Sequence, residues 1–146
     1  MKENFKIALV ISRFNEDITR LLYEGALQRL KEVSFPEENI TAIWVPGAVE
    51  IPVVAQHLIH KGYYAAVITL GAVIQGETTH FDYVCDQVSQ GCQRVALDYG
   101  VPVIFGVLTT SNKEQALDRC GGKHGHKGRE AVDAALEMVS ILHQIG

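Results

Sequence analysis

The chain is poor in the features that mark several specialised classes of protein. Only 3 of its 146 residues are cysteine and 4 are proline, and the formal net charge is -4. Three cysteines are too few for the disulfide framework of a small secreted domain, and a negative net charge argues against nucleic-acid or anionic-membrane partners. No apolar run is long enough to span a bilayer, and no targeting segment is visible. We therefore expect a cytoplasmic protein with neither nucleic-acid nor membrane partners.

What the sequence does contain is four apolar runs rich in β-branched residues. They show little polar alternation, so both faces of each strand should be buried, as in a parallel sheet covered by helices. The runs are Lys6–Ile11, Ile40–Val45, Ala65–Leu70 and Pro102–Leu108. Helical patterns alternate with them, which predicts an α/β fold: a three-layer α/β/α sandwich around a four-stranded parallel sheet, with residues 1–146 in a single domain.

Polar residues indicate where the helices begin. Asn15 is placed to cap the first helix and Thr79 the third, while Ser111 and Glu114 have the spacing of a capping box for a short fourth helix. A last helix follows Gly128. Its apolar residues leave only a narrow polar strip, which predicts burial against another subunit as well as against the sheet.

The segment Gly71–His80 is the richest candidate for chemistry, because ligands of open parallel sheets bind beyond the carboxyl ends of the strands. Its two glycines, Gly71 and Gly76, resemble those of a Walker A loop. Glu77 stands where that loop has its lysine, so ATP or GTP binding is not expected. Glycine-rich backbone at a helix N-terminus still favours an anion, and a single phosphate fits best. A glycine turn needed only for geometry is the alternative.

His80 falls in the first turn of the third helix. The positive end of the helix dipole disfavours imidazolium, which predicts a neutral ring able to exchange protons near pH 7. A structural or solvated histidine is equally compatible with the sequence. The remaining histidines are all expected to be solvated: His57, His60, His124, His126 and His143.

Three further side chains each have two interpretations. Phe14, at the end of the first strand, either stacks on a flat ring or covers the core. Phe105 lies inside the fourth strand, where ordinary core packing is favoured on sequence alone. The ordinary interpretation of Arg119 is a solvent-exposed surface residue, and the alternative is a side chain that binds a phosphate group. The basic, glycine-rich loop 121–129 is either an anion cradle or a solvated turn.

Five motifs, in order from about Phe5 to Leu142, together resemble the 6,7-dimethyl-8-ribityllumazine synthase family. They are Arg13-Phe14-Asn15, Trp44–Pro52, Gly71–Ile74 followed by Gly76-x-Thr78-x-His80-Phe81, Pro102–Gly106, and Gln115-Ala-x-x-Arg119. The resemblance implies a flavodoxin-like fold and a transferase of riboflavin biosynthesis. That enzyme condenses 5-amino-6-(D-ribitylamino)uracil with 3,4-dihydroxy-2-butanone 4-phosphate, and it uses no cofactor and no metal.

The resemblance also implies a role for each matching residue. His80 would transfer protons. The other implied contacts are with the pyrimidine and ribityl chain (Phe14, Ala48, Val49, Glu50, Ala72, Val73 and Ile74), with the phosphate (Glu77 and Thr78), and from a neighbouring subunit (Phe105 against the pyrimidine and Arg119 on the phosphate). The family forms homopentamers, some of them packed into a sixty-subunit shell, and association with riboflavin synthase is a further implied partnership.

The chain departs from the family pattern at several positions. Gln75 stands where the family usually has Arg or Lys, so one positive charge near the phosphate site is missing. Arg119 would then have to balance more of the negative charge of the phosphate. His124 and His126 replace residues that are commonly Ala and Asn, whereas Lys127 matches a family lysine. A competing hypothesis from another class is a non-catalytic flavodoxin-like module that binds a flavin or a phosphosugar. A receiver domain is disfavoured because the first strand ends without an acidic pair.

Overall fold

The predicted apolar runs form the central sheet. A computed structural model of the protein describes residues 5–146. Its elements in chain order are β1 (Lys6–Ser12), α1 (Glu16–Glu32), β2 (Ile40–Val45), α2 (Ile51–Ile59), β3 (Tyr64–Ile74), α3 (His80–Tyr99), β4 (Val103–Thr110), α4 (Lys113–Asp118), β5 (Cys120–Gly122), β6 (Gly125–His126) and α5 (Lys127–Ile145).

The four long strands are all parallel and are ordered β2-β1-β3-β4. Alternate residues of β1 point to opposite faces, as the pleat requires. Ile7 and Leu9 join the helices α1 and α5 in one core, whereas Ala8 and Val10 join α2 and α3 in the other. The structure therefore confirms the α/β/α sandwich with a four-stranded parallel sheet.

The third and fourth strands are longer than predicted. The first four residues of the predicted loop segment Gly71–His80 continue β3 and pair with β4 as far as Ile74 opposite Thr110. Gly71 is needed inside the strand because a Cβ there would come within 2.9 Å of the Ser12 hydroxyl. The connecting turn is consequently only residues 75–79.

Two of the three predicted N-cap positions are confirmed, but without the side-chain hydrogen bond of a cap, and the third is shifted. Asn15 occupies the N-cap position of α1 with a left-handed φ of 63°, but its side chain makes no cap hydrogen bond. Thr79 likewise makes none at α3. At α4 the box is shifted by one residue: Asn112 accepts from the Gln115 N–H at 2.8 Å, and the Gln115 side chain accepts from the Ser111 N–H.

The glycine-rich loop before the last helix is ordered by a small hairpin of β5 and β6, which sequence reasoning did not predict. Helix α5 begins at Lys127, two residues earlier than the predicted start after Gly128, and His126 is its N-cap. Its C-terminal part leaves Ile141, Leu142 and Ile145 exposed beside a groove of about 780 Å³ between α5 and the end of α1.

Two properties bear on the predicted class of protein. Over residues 5–146, no helix combines the length and apolar character needed to cross a bilayer. The three cysteines are free thiols, and burial raises the pKa of Cys92 to about 12 and that of Cys120 to about 11.

Candidate functional site

A cavity of about 470 Å³ opens at the carboxyl ends of β1, β2 and β3, where a parallel sheet is expected to bind its ligand. The three strand ends contribute side chains that the sequence analysis had singled out. The lining includes Phe14 after β1, Ala48 and Val49 after β2, and Ala72, Val73 and Ile74 at the end of β3. Six of the twelve candidate site residues therefore meet in one mostly apolar wall.

Main-chain hydrogen bonds fix the segment that carries Phe14. The Arg13 N–H donates to the Val45 carbonyl at 2.7 Å, and the Phe14 N–H donates to the Pro46 carbonyl at 3.0 Å. The Asn15 side chain donates across to the Ala72 carbonyl at 2.9 Å. The Phe14 ring is thus held at the cavity mouth while remaining 72% exposed, a poor arrangement for a core residue and a suitable one for stacking.

The turn 75–79 forms the polar edge of the cavity. Gly76 and Thr78 line it, and the main-chain N–H groups of residues 76–79 have no acceptor within residues 5–146. The Thr78 hydroxyl accepts from the His80 N–H at 3.2 Å, which leaves its own hydrogen free to donate. Unpaired donors at the start of a 20-residue helix are the groups that anions generally bind in proteins.

His80 is the first residue of α3 and lines the same cavity, with its side chain exposed. Its position confirms the prediction of a histidine in the first turn next to the glycine turn. Helix α3 also contributes Phe81, which the sequence analysis quoted in a motif without a role, and three residues that it missed: Tyr83, Val84 and Gln87. The missed signal was helical spacing, because positions 80, 83, 84 and 87 share one face of a helix.

The two glutamates of the candidate set lie at the margins. The Glu50 carboxylate accepts from the Gly47 N–H at 2.8 Å, so one of its oxygens is engaged in holding the turn after β2. Glu77 lies in the exposed turn next to Gly76 and is not part of the cavity wall.

Phe105 and Arg119 do not join this cavity. Phe105 is half-buried on β4, the edge strand, opposite Thr69. Arg119 follows α4, where its guanidinium donates to the Gln115 carbonyl at 2.9 Å. It lines a second, polar cavity of about 260 Å³ with His124, Lys127 and Glu130. One chain therefore carries the His80 cavity and the Arg119 cavity as separate features.

Among the described residues, no cluster of His, Cys, Asp and Glu has the composition of a metal site. What the first cavity offers is an aromatic ring, an apolar wall, a polar turn with free N–H groups and an imidazole. The aromatic ring and the apolar wall suit a flat heterocycle, and the free N–H groups of the turn suit a phosphate next to it. The imidazole suits proton transfer to or from the bound molecules.

Comparison with known proteins gives one consistent result. The model of the 6,7-dimethyl-8-ribityllumazine synthase family matches residues 4–143. Proteins named 6,7-dimethyl-8-ribityllumazine synthase from two strains of Coxiella burnetii, CbuG_Q212 and RSA 493, are each 53% identical over 144 residues, covering 99% of this chain and 95% of the relative. A third, from the Dugway strain, is 52% identical over the same length. On its fold, its cavity and these matches, the chain belongs to the 6,7-dimethyl-8-ribityllumazine synthase family.

Proposed function

We propose that the chain condenses 5-amino-6-(D-ribitylamino)uracil with 3,4-dihydroxy-2-butanone 4-phosphate in the cavity at the ends of β1, β2 and β3. The products are 6,7-dimethyl-8-ribityllumazine, phosphate and water. One observation carries the assignment of the site: the apolar wall, the donor-rich turn 75–79 and His80 all line the same 470 Å³ cavity.

The first part of the site holds the uracil substrate. Phe14 stacks on the pyrimidine, and Ala48, Val49 and the end of β3 enclose it from the side. The second oxygen of Glu50 accepts from a hydroxyl of the ribityl chain, since the first is bonded to the Gly47 N–H. Stacking and enclosure orient the ring amine toward the phosphosugar.

The second part holds the phosphosugar. The N–H groups around Glu77 and Thr78, with the Thr78 hydroxyl, bind the phosphate at the start of α3. The ring amine attacks the ketone and water leaves to form an imine. Phosphate is then eliminated, and the ring closes with loss of a second water. His80 moves the protons these steps require, because it borders the turn that binds the leaving group.

Phe105 and Arg119 complete the site from a neighbouring subunit, Phe105 against the pyrimidine and Arg119 on the phosphate. The separation of the His80 and Arg119 cavities within one chain supports this arrangement. We propose a homopentamer, the unit from which the sixty-subunit shell of some family members is also built. The edge strand β4 and the apolar end of α5 supply surface for such contacts.

We further propose that the chain is a single domain, since both core clusters rest on the two faces of one sheet. A cytoplasmic location is supported by three free thiols. Association with riboflavin synthase, which would use the product, remains a prediction from the family.

The direct test mixes the purified protein with both substrates and follows the fluorescent lumazine together with released phosphate. We expect both to appear in equal amounts and faster than in buffer. A non-catalytic flavin- or phosphosugar-binding module would bind ligand without accelerating the condensation, and that result would overturn the proposal.

A further inference from the structure

The imidazole of His126 is built into the junction between α5, α1 and the β5–β6 hairpin. Its Nδ1 accepts from two main-chain N–H groups at the start of α5, those of Gly128 at 3.1 Å and Arg129 at 3.3 Å. A nitrogen that accepts two hydrogen bonds carries no proton, so the ring must be neutral to cap the helix. The prediction that His126 is a solvated histidine is therefore wrong.

The space for this ring is created by glycine. A Cβ on Gly25 of α1 would lie 2.1 Å from the ring carbon Cε1, and one on Gly128 would lie 2.2 Å from the Leu22 carbonyl oxygen. Helices α1 and α5 thus approach closely at this point, and the ring fills the gap between them. The Leu21 carbonyl of α1 also faces the imidazole and favours its protonated form, which raises the pKa of His126.

His126 is connected directly to the polar cavity that contains Arg119. It pairs with Cys120 in the hairpin, and the next residue, Lys127, donates its N–H to the Arg119 carbonyl at 2.8 Å. The side chains of Arg119 and Lys127 both line the cavity. The main chain that places these two cations is therefore anchored by the cap.

We infer that His126 is a positioning residue: as a neutral imidazole it fixes the Arg119–Lys127 cavity, and its protonation loosens that cavity and weakens binding of the phosphorylated substrate. The inference rests on the proposed function, in which Arg119 contacts the phosphate. It adds a pH dependence of phosphosugar binding, which the roles given under the proposed function do not include.

The surroundings of the ring favour its neutral form over most of the physiological range. Burial lowers the pKa of His126 from its ordinary value of 6.5, and the positive charge of Arg129 acts in the same direction. The Leu21 carbonyl and the Glu130 carboxylate act in the opposite direction. The hairpin contributes the Cys120 thiol, which is neutral because burial raises its pKa to about 11.

The sign of the pH effect follows from these directions. The unfolded chain binds a proton on this ring at higher pH than the folded chain does. Stabilisation by the neutral cap is therefore complete above pH 6.5 and is lost as the pH falls below 6.5 toward the lowered pKa.

The experiment compares the full-length wild type with His126→Asn and His126→Ala, measuring kcat and the KM of each substrate between pH 5 and 8. Asparagine is a strong helix cap that does not titrate, so His126→Asn should match the wild type at pH 7.5. Below pH 6.5 the KM for the phosphosugar should rise about three- to tenfold more in the wild type than in His126→Asn. His126→Ala should show the raised KM at every pH, with kcat and the KM for the uracil substrate little changed.

Two controls make the comparison decisive. The phosphate group of the substrate itself titrates near pH 6 and affects all variants equally. The variant His143→Asn removes an exposed histidine of α5 that lines neither the His80 cavity nor the Arg119 cavity. Hydrogen-exchange protection of the Gly128 and Arg129 amides gives a readout independent of activity, and it should fall below pH 6.5 only when His126 is present. Parallel pH profiles and equal protection in the wild type and His126→Asn would overturn the inference, whereas a wild type inactive at every pH would overturn the proposed function instead.

Discussion

At the scale of single residues, the most informative feature is that His80 and Arg119 line different cavities of one chain. Their expected contributions differ accordingly. In the proposed function His80 transfers protons during the reaction, whereas Arg119 binds the charged phosphate. Substitutions at the two positions should therefore affect different kinetic constants.

Replacing His80 with alanine should slow turnover by roughly 10²–10⁴-fold if proton transfer limits the rate. Imine formation and phosphate elimination can proceed without strong acid–base catalysis. If these steps limit the rate, the loss of rate should lie near the roughly 10²-fold end of this range. Stopped-flow fluorescence of lumazine formation measures the rate constant. His143→Ala, which removes an exposed histidine on α5, is the matched control. An unchanged rate in His80→Ala would refute the proton-transfer role.

Replacing Arg119 with alanine should raise the KM for the phosphosugar about ten- to a hundredfold, since a charge-assisted hydrogen bond to phosphate is worth about 1.5–3 kcal/mol. The KM for the uracil substrate should change little. Arg94→Ala is the matched control, because Arg94 is an exposed arginine on α3 paired with Asp98. An unaltered affinity for the phosphosugar would dismiss the assignment of Arg119 to the phosphate.

At the scale of secondary-structure elements, the close approach of α1 and α5 depends on glycine. Gly128→Ala would place a Cβ 2.2 Å from the Leu22 carbonyl oxygen, so α5 must shift away from α1. Such overpacking costs about 1–3 kcal/mol, measurable as a lower urea midpoint. Gly76→Ala is the control, because a Cβ there meets nothing within 4 Å. Equal midpoints for the two variants would contradict the packing argument.

The same scale shows what sequence patterns could and could not predict. The four strands and the helix starting near His80 were predictable because apolar runs and helical spacing are local signals. The role of Asn15 was not, since its side chain donates to Ala72, 57 residues away. The end of β3 depends on its pairing with β4, and the burial of His126 depends on a glycine of α1. Each of these errors concerns a contact between distant parts of the chain.

At the scale of the whole molecule, the proposed site exists only where two subunits meet. Light scattering should give a mass that is a multiple of the 16.1 kDa chain, with five copies in the basic unit. A monomer active at the full rate would contradict a shared site.

Mixed assemblies test the shared site more sharply. Subunits carrying His80→Ala and subunits carrying Arg119→Ala should each be impaired alone. When they are unfolded and reassembled together in equal amounts, about a quarter of the interfaces in a cyclic ring should pair an intact His80 with an intact Arg119. We expect activity to recover to about that fraction of the wild-type value. No recovery in a well-formed mixed ring would place both residues in the same subunit's site.

The contact of His126 with Gly25 and Gly128 has a consequence for how the family can diverge. Positions 25 and 126, about a hundred residues apart, share one small volume, so a gain in size at position 25 requires a loss at position 126. A lineage that acquires a side chain at position 25 must first exchange the imidazole for something shorter. Substitution at position 25 therefore has to follow substitution at position 126, whereas position 128 must stay glycine in either case because a Cβ there would meet the Leu22 main chain.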